Sequence, residues 1–180
     1  NYNLNEYFPA RQNFFDKSDE KFRIVFAGNV GGFQNLDILI RALSLVKNIS
    51  NIQLIILGEG QALDRLKHLA KDLKLLKIVK FIPHQSLVVA NQIVQESQIA
   101  VVSLQEKIIQ YAYPSKTMTY LSLGVPILAL VDDESELANS IINHNLGIVC
   151  SPSDVEGLSA ILSSLVDRIH LFDKSNIQRY

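Results

Sequence analysis

Short apolar runs alternate with amphipathic stretches along most of the chain. Six of these runs end at glycine, proline or polar residues, as is typical of buried strands. The apolar positions are continuous rather than alternating, so we expect strands that are covered on both faces of one sheet. The predicted strands cover residues 22–27, 51–57, 78–82, 98–104, 125–131 and 147–150.

The stretches between and after these runs repeat their apolar residues at helical spacing, starting near residues 36, 63, 86, 114, 133 and 153. Ser86 and Ser153 are typical N-cap residues for two of them. Strands that alternate with helices imply crossover connections and a parallel sheet. The sequence therefore predicts a Rossmann-like, doubly wound α/β domain over residues 22–166, with about six strands and helices on both faces. Residues 1–21 would form a lead-in or interdomain segment, and 167–180 a C-terminal tail.

Composition and charge narrow the functional classes. The 180 residues carry 17 basic and 18 acidic side chains, a net charge of −1, so we expect no nucleic-acid partner. The single cysteine, Cys150, excludes an internal disulfide and a cysteine zinc site, and no metal is predicted. No signal peptide or membrane-spanning run is visible. We expect a cytoplasmic domain, or a peripheral one at the inner face of the membrane within a longer protein.

Ligands of doubly wound sheets bind beyond the carboxyl ends of the strands. That rule selects the loops at 28–35, 58–61, 83–86 and 104–117. The last leads into a helix whose start, Pro114-Ser115-Lys116-Thr117, offers free amides, two hydroxyls and an ammonium that would hold a pyrophosphate. An ordinary capped helix start with a solvated lysine would have the same residues, and the sequence leaves both interpretations open.

The loop after the first strand contains Gly28, Asn29, Gly31, Gly32 and Gln34. Glycines allow close approach of the backbone to a ligand, and the two amide side chains offer directional hydrogen bonds. A tight strand-to-helix turn would explain the glycines but not the amides. The spacing is neither the dinucleotide-binding fingerprint nor a P-loop.

Three further segments carry weaker signals. The Gly58-Glu59-Gly60 turn is of a kind that ends many strands, and Pro83-His84 would place a nucleoside against the backbone, although loop histidines are commonly simple surface residues. The acidic run Asp132-Asp133-Glu134 is interpreted as the N-terminus of the fifth helix rather than as a metal site.

Four motifs, in order along the chain, resemble the glycosyl transferases group 1 family of retaining GT-B enzymes. The resemblance runs from about residue 22 to 166 and implies the C-terminal, donor-binding half of the GT-B fold. The motifs are Phe26-Ala27-Gly28-Asn29-Val30-Gly31 with Gln34, Leu57-Gly58-Glu59-Gly60 with Leu66 and Leu69, Val79-Lys80-Phe81-Ile82-Pro83, and Tyr113-Pro114-Ser115-Lys116 followed by Gly124-Val125-Pro126-Ile127.

The resemblance implies a nucleotide-sugar donor and no cofactor. The first-loop and Pro-Ser-Lys motifs are similar to a subset that builds bacterial surface polysaccharides from UDP-linked N-acetylated sugars. The acceptor would bind a missing N-terminal domain, so the isolated domain would be inactive. The residues that the resemblance assigns to donor binding are Gly28, Asn29, Gly31, Gly32, Gln34, Gly58, Glu59, Gly60, Pro83, His84, Pro114, Ser115, Lys116 and Thr119.

This chain departs from the family pattern at charged positions. The two glutamates of the E-x7-E motif fall on Tyr111 and Thr119, and the Arg and Lys of the first loop fall on Asn29 and Gln34. The catalytic residues therefore stay unassigned. A non-catalytic nucleotide- or sugar-phosphate-binding module, or a sugar-nucleotide epimerase of similar fold, is the alternative function.

Overall fold

Six parallel strands form one sheet in the computed structural model, which describes residues 13–16, 18–47, 49–103, 115–168, 172 and 177. The strand order is β3-β2-β1-β4-β5-β6, so the direction of winding reverses between β1 and β4. This order confirms the predicted doubly wound sheet. The strands are β1 (Phe22–Ala27), β2 (Ile52–Leu57), β3 (Val79–Ile82), β4 (Ile99–Ser103), β5 (Ile127–Leu130) and β6 (Gly147–Cys150).

The α-helices bounded within the described residues follow the strands, one after each. They are α1 (Asp37–Leu45), α2 (Leu63–Asp72), α3 (Leu87–Gln95), α4 (Ser115–Ser122), α5 (Glu136–Asn143) and α6 (Val155–Arg168). Two short 3-10 helices, Gly32–Gln34 and Ile49–Asn51, precede α1 and β2.

The predicted helix start is confirmed at α3, whereas the structure differs from the prediction at α5 and α6. Ser86 caps α3 as predicted, because its hydroxyl accepts from the Val89 amide at 3.4 Å. The predicted fifth helix begins too early: α5 starts at Glu136 behind the Ser135 cap, so the acidic run at 132–134 precedes the helix. The predicted Ser153 cap of α6 is wrong. Asp154 takes that place, since its Oδ1 accepts from the Gly157 amide at 2.8 Å.

Both faces of the sheet are covered, and alternate residues of β1 divide between them. Ile24 and Phe26 belong to a core shared with α1, α2 and α6, whereas Val25 belongs to a core shared with α3, α4 and α5. All three side chains are fully buried. Burial on both sides is the reason that the strands read as continuous apolar runs.

The described part of the lead-in packs at the amino edge of the sheet. The backbone amides of Phe14 and Phe15 each donate to the Glu96 carboxylate at 2.9 Å. The Arg23 guanidinium forms an ion pair with Asp19 at 3.0 Å. The boundaries predicted for the lead-in and the tail stay predictions.

None of the helices in the described residues is both long and apolar enough to cross a membrane.

Candidate functional site

A cleft of about 330 Å³ opens beyond the carboxyl ends of β1 and β2, between α3 and α4. It adjoins the point where the strand order reverses, which is where doubly wound sheets bind their ligands. The ends of the strands contribute Ala27, Gly28, Leu57 and Gly58; the loop after β3 and α3 contribute His84, Gln85, Leu87, Ala90, Asn91 and Val94; α4 contributes Ser115, Lys116, Thr119 and Tyr120.

Two glycines form the floor of this cleft. Gly28 and Gly58 have φ values of +132° and +135°, which side chains strongly disfavour. A Cβ on Gly58 would collide with the Gly28 carbonyl oxygen, and a Cβ on Gly28 would lie 2.6 Å from Cε of Lys116. The floor is therefore bare backbone, and the Lys116 side chain lies directly across it.

Lys116 is a largely buried cation for which the described residues provide no anionic partner. Its Nζ lies 3.9 Å from the centroid of the Phe26 ring, which is itself fully buried. Among the described residues, no carboxylate comes within ion-pair distance of this ammonium. Burial lowers the pKa of Lys116 from 10.5 to about 8, because desolvation disfavours the charged form.

Two exposed side chains of α4, Ser115 and Thr119, add hydrogen-bonding groups to the same wall. Ser115 is the first helical residue, so first-turn amides and the positive end of the helix dipole lie beside Lys116. The Thr119 hydroxyl donates to the Ser115 carbonyl at 3.3 Å and keeps its lone pairs for accepting. Thr117 differs from the expectation for this helix start: it is fully buried and lies outside the cleft lining.

Tyr120 fixes α4 to the end of β1. Its hydroxyl accepts from the Ala27 amide and donates to the Ala27 carbonyl, both at 3.1 Å. β1 is aligned with β4 only at Ile24 and Val25, so the hydroxyl satisfies two backbone groups of β1 that lie beyond this pairing. Burial raises the pKa of Tyr120 to about 12, which keeps the hydroxyl protonated.

A family model described as "Glycosyl transferases group 1" matches residues 9–170. The chain belongs to this family. A curated relative, "Probable glycosyltransferase WbjE" from Pseudomonas aeruginosa, is 27% identical over 152 residues, which are 84% of this chain and 36% of the relative. The chain thus spans little more than a third of that relative's length.

Two solved structures share the fold. Anabaena HepE in complex with UDP has a TM-score of 0.73 at 16% identity, over 92% of this chain and 48% of that one. WaaG, a glycosyltransferase involved in lipopolysaccharide biosynthesis, also has a TM-score of 0.73, at 18% identity over 89% of this chain and 42% of that one. The six-stranded sheet with its helices therefore matches one half of these GT-B glycosyltransferases.

The structure brings six of the residues that the family resemblance assigned to donor binding into the cleft lining: Gly28, Gly58, His84, Ser115, Lys116 and Thr119. The others lie outside the lining. They are Asn29, Gly31, Gly32, Gln34, Glu59, Gly60 and Pro83. Pro114 and Tyr111, one of the two acidic-motif positions, fall outside the described residues.

Gln34 has a local role that the sequence did not indicate. Its side-chain Oε1 accepts from the Gly31 backbone amide at 3.0 Å, while the Gln34 backbone amide donates to the Gly31 carbonyl at 3.4 Å. The Ser103 hydroxyl donates to the Gln34 carbonyl at 2.5 Å. A tight strand-to-helix turn was not expected to explain the amide side chains of Asn29 and Gln34. The structure shows that the Gln34 side chain stabilises this turn.

The first loop also packs against the loop after β2. The Val30 amide donates to the Glu59 carbonyl at 2.8 Å, and the Ala62 amide donates to the Val30 carbonyl at 3.0 Å. A Cβ on Gly60, whose φ is +157°, would lie 2.8 Å from Oδ1 of Asn29. Asn29 and Gly60 thus form a rim beside the cleft, where two glycine-containing loops support each other.

Sequence reasoning missed the α3 wall and Tyr120. The apolar pattern of α3 is irregular because some of its apolar side chains face the cleft rather than the core. Leu87 lines the cleft and is 73% exposed, and its neighbour Val88 is 68% exposed. The available signal was Leu87 itself: an apolar residue at the start of a helix, directly after the 83–86 loop that was predicted to bind a ligand.

Within the described ranges, no three histidine, cysteine, aspartate or glutamate side chains are grouped so that they could hold a metal ion.

Proposed function

We propose that this chain is the donor-binding half of a retaining glycosyltransferase that uses a UDP-linked sugar, with an N-acetylated sugar favoured. The acceptor would be a polysaccharide or a lipid-linked saccharide. One observation carries the proposal: a largely buried lysine, without a carboxylate partner among the described residues, stands at the start of a helix in a cleft at the switch point of the sheet.

The charge on Lys116 is the physical basis for a diphosphate ligand. Burying an ammonium without a partner is unfavourable, and a bound anion would remove that penalty. The first-turn amides of α4 and the helix dipole favour the same sign of ligand charge. The absence of a Cβ at Gly28 lets the Lys116 side chain lie against the backbone at the end of β1, with its Nζ at the floor of the cleft.

The same groups would serve the chemical step. Departure of UDP from an oxocarbenium-like transition state leaves extra negative charge on the diphosphate. Lys116 and the α4 amides would stabilise that charge as it develops, in a site where desolvation strengthens the interaction. Because these groups would replace a cation, we propose transfer without a metal.

The remaining donor contacts follow from position around the cleft. Thr119, one helical turn beyond Ser115, would accept a hydrogen bond from the ribose. Pro83 and His84, at the end of β3, would contact the nucleoside. The rim loops with Asn29, Gly31, Gly32, Gln34, Glu59 and Gly60 would lie on the phosphate and sugar side of the donor.

We further propose that the acceptor binds a second, N-terminal domain. This chain covers 36% of the curated relative and less than half of the HepE and WaaG structures. By itself the chain should bind the donor nucleotide and transfer nothing.

Calorimetric titration with UDP tests the proposal directly. Lys116→Ala should weaken UDP binding about thirtyfold, as expected for loss of a charge-assisted hydrogen bond worth about 2 kcal/mol. With the pKa of Lys116 at about 8, affinity should fall about tenfold from pH 7 to pH 9 in the wild type and stay flat in Lys116→Ala.

The exposed Lys80 on β3 provides the matched control, because Lys80→Ala removes one positive charge away from the cleft. It should leave UDP affinity within a factor of two. Equal UDP affinity in wild type and Lys116→Ala would contradict the proposal, and so would tighter binding of GDP or ADP than of UDP.

The second candidate is a nucleotide-binding module without catalysis. Thr119 favours it, because a hydroxyl stands where the family usually has a ribose-binding glutamate. Such a module would give the same titrations, so sugar transfer by the longer protein separates the two candidates. A large gain in transfer on Thr119→Glu would mean that the native site is impaired.

A further inference from the structure

The two helical walls of the cleft differ in chemistry. α4 contributes the Lys116 cation and the exposed hydroxyls of Ser115 and Thr119, whereas the Tyr120 hydroxyl is bonded to Ala27. α3, which the structure describes in full, contributes Leu87, Ala90, Asn91 and Val94, which share one helical face by their spacing. Asn91 is the polar exception in this otherwise apolar wall. A ligand with a charged end and a flat end would therefore place the flat end against α3.

The carboxamide of Asn91 has no structural role among the described residues. It forms no hydrogen bond to any of them, in contrast to three glutamine side chains near the site. Gln85 donates to the Pro83 carbonyl at 3.1 Å, Gln92 donates to Glu96 at 2.9 Å, and Gln34 closes its own loop. A half-buried amide without a partner in the described part of the chain keeps both a donor and an acceptor available for a ligand.

We propose that Asn91 recognises the pyrimidine base of the donor, an inference that rests on the proposed nucleotide-sugar function. Uracil presents an N–H next to a carbonyl oxygen on its imide edge. The Asn91 carboxamide presents the complementary pair, an acceptor Oδ1 next to a donor Nδ2. Leu87, Ala90 and Val94 supply the apolar surface that a flat ring prefers and a ribose does not. Asn91 is thus a specificity-determining residue on the wall opposite the phosphate site.

The test combines a protein variant with a modified ligand. Calorimetry would measure UDP, N3-methyl-UDP and inorganic pyrophosphate on wild type, Asn91→Ala and Asn91→Leu, which keeps the side-chain volume. Asn91→Leu should weaken UDP about tenfold and leave pyrophosphate unchanged. Blocking N3–H with a methyl group should weaken binding to wild type by a similar factor but change little in the variants.

Gln95→Ala is the matched control, because Gln95 is an exposed amide on the same helix outside the cleft. It should bind all three ligands as wild type does, with an unchanged melting temperature.

Two results would overturn the role of Asn91: unchanged UDP affinity in Asn91→Leu, or an equal loss for UDP and for N3-methyl-UDP. Failure of the proposed function would look different. Pyrophosphate would then bind Lys116→Ala as well as wild type, or wild type would bind no UDP, in which case both proposals fall.

Discussion

Two largely buried cations lie against phenylalanine rings at opposite ends of β1. At the amino end, the Arg23 guanidinium lies 4.2 Å from the centroid of Phe15. At the carboxyl end, the Lys116 ammonium lies 3.9 Å from the centroid of Phe26. Arg23 also pairs with the Asp19 carboxylate at 3.0 Å, whereas Lys116 has no carboxylate within ion-pair distance in the described part of the chain.

On the proposed function, this difference separates a structural cation, Arg23, from a ligand-binding one, Lys116. The charge of Arg23 is compensated by the chain itself, and its guanidinium also donates to the Asp19 carbonyl at 3.0 Å. No described residue compensates Lys116 in this way, so on the proposed function its burial lowers stability until the donor diphosphate binds. Compensation of charge, rather than burial or contact with an aromatic ring, therefore distinguishes the two ends.

The largest expected effect is on stability at the amino end. Arg23→Ala removes a buried ion pair, the cation–π contact with Phe15 and the packing of a long aliphatic chain. We expect the free energy of unfolding to fall by about 3 kcal/mol, the lower end for breaking a buried pair, because Asp19 is partly exposed. Urea denaturation measures this loss.

Arg41 is the matched control for that substitution. Its side chain is 56% exposed and its ion pair with Asp37 spans 4.0 Å, so Arg41→Ala should cost less than about 0.5 kcal/mol. UDP affinity of the folded Arg23→Ala protein should match wild type. A loss of UDP affinity comparable to that of Lys116→Ala would break the distinction between the two ends.

A smaller effect is expected at Tyr120. At the carboxyl end of β1, its hydroxyl forms hydrogen bonds with both backbone groups of Ala27. Tyr120→Phe keeps the ring and leaves both backbone groups of Ala27 without their partner. We expect a loss of about 2 kcal/mol in unfolding free energy, the usual cost of unsatisfied buried groups. Thermal and urea denaturation check it.

The natural control is Tyr120→Leu, which should cost more because it also loses the buried ring. Unchanged stability in Tyr120→Phe would mean that water replaces the hydroxyl at Ala27, and that α4 is held by apolar packing alone.

The fold was largely predictable because each strand is buried on both faces. Continuous apolar runs predicted six strands in the right places: β1 and β6 have the predicted ends, and the ends of the other four shift by at most two residues. Helix starts were harder where neighbouring residues compete as caps. Ser135 caps α5 instead of the acidic residues before it, and Asp154 rather than Ser153 caps α6.

The candidate site was predictable only as a set of loops. A rule about strand ends selected Gly28, Gly58 and Lys116, since it needs only the order of elements along the chain. The contact between Tyr120 and Ala27 spans 93 positions, and no local pattern encodes it. The same holds for the α3 wall, because the apolar face of a helix does not indicate whether it meets the core or a cleft.

The smallest expected effect is a gain in stability when the uncompensated charge is removed. Lys116→Met keeps most of the side-chain volume and still packs on Phe26. At pH 7 we expect the free energy of unfolding of Lys116→Met to exceed that of wild type by about 1 kcal/mol. This gain is smaller than the pKa shift of Lys116 alone implies, because the cleft is open to solvent.

The gain should depend on pH with a definite sign. The pKa of Lys116 is about 8 in the folded state and 10.5 ordinarily, so between these values the folded protein binds fewer protons than the unfolded chain. Wild-type stability therefore rises with pH across this window, and the advantage of Lys116→Met shrinks toward zero by its upper end. Urea denaturation at pH 7 and pH 10 measures both. A destabilised Lys116→Met at pH 7, or an advantage that does not change with pH, would mean that Lys116 is compensated as fully as Arg23 and needs no ligand.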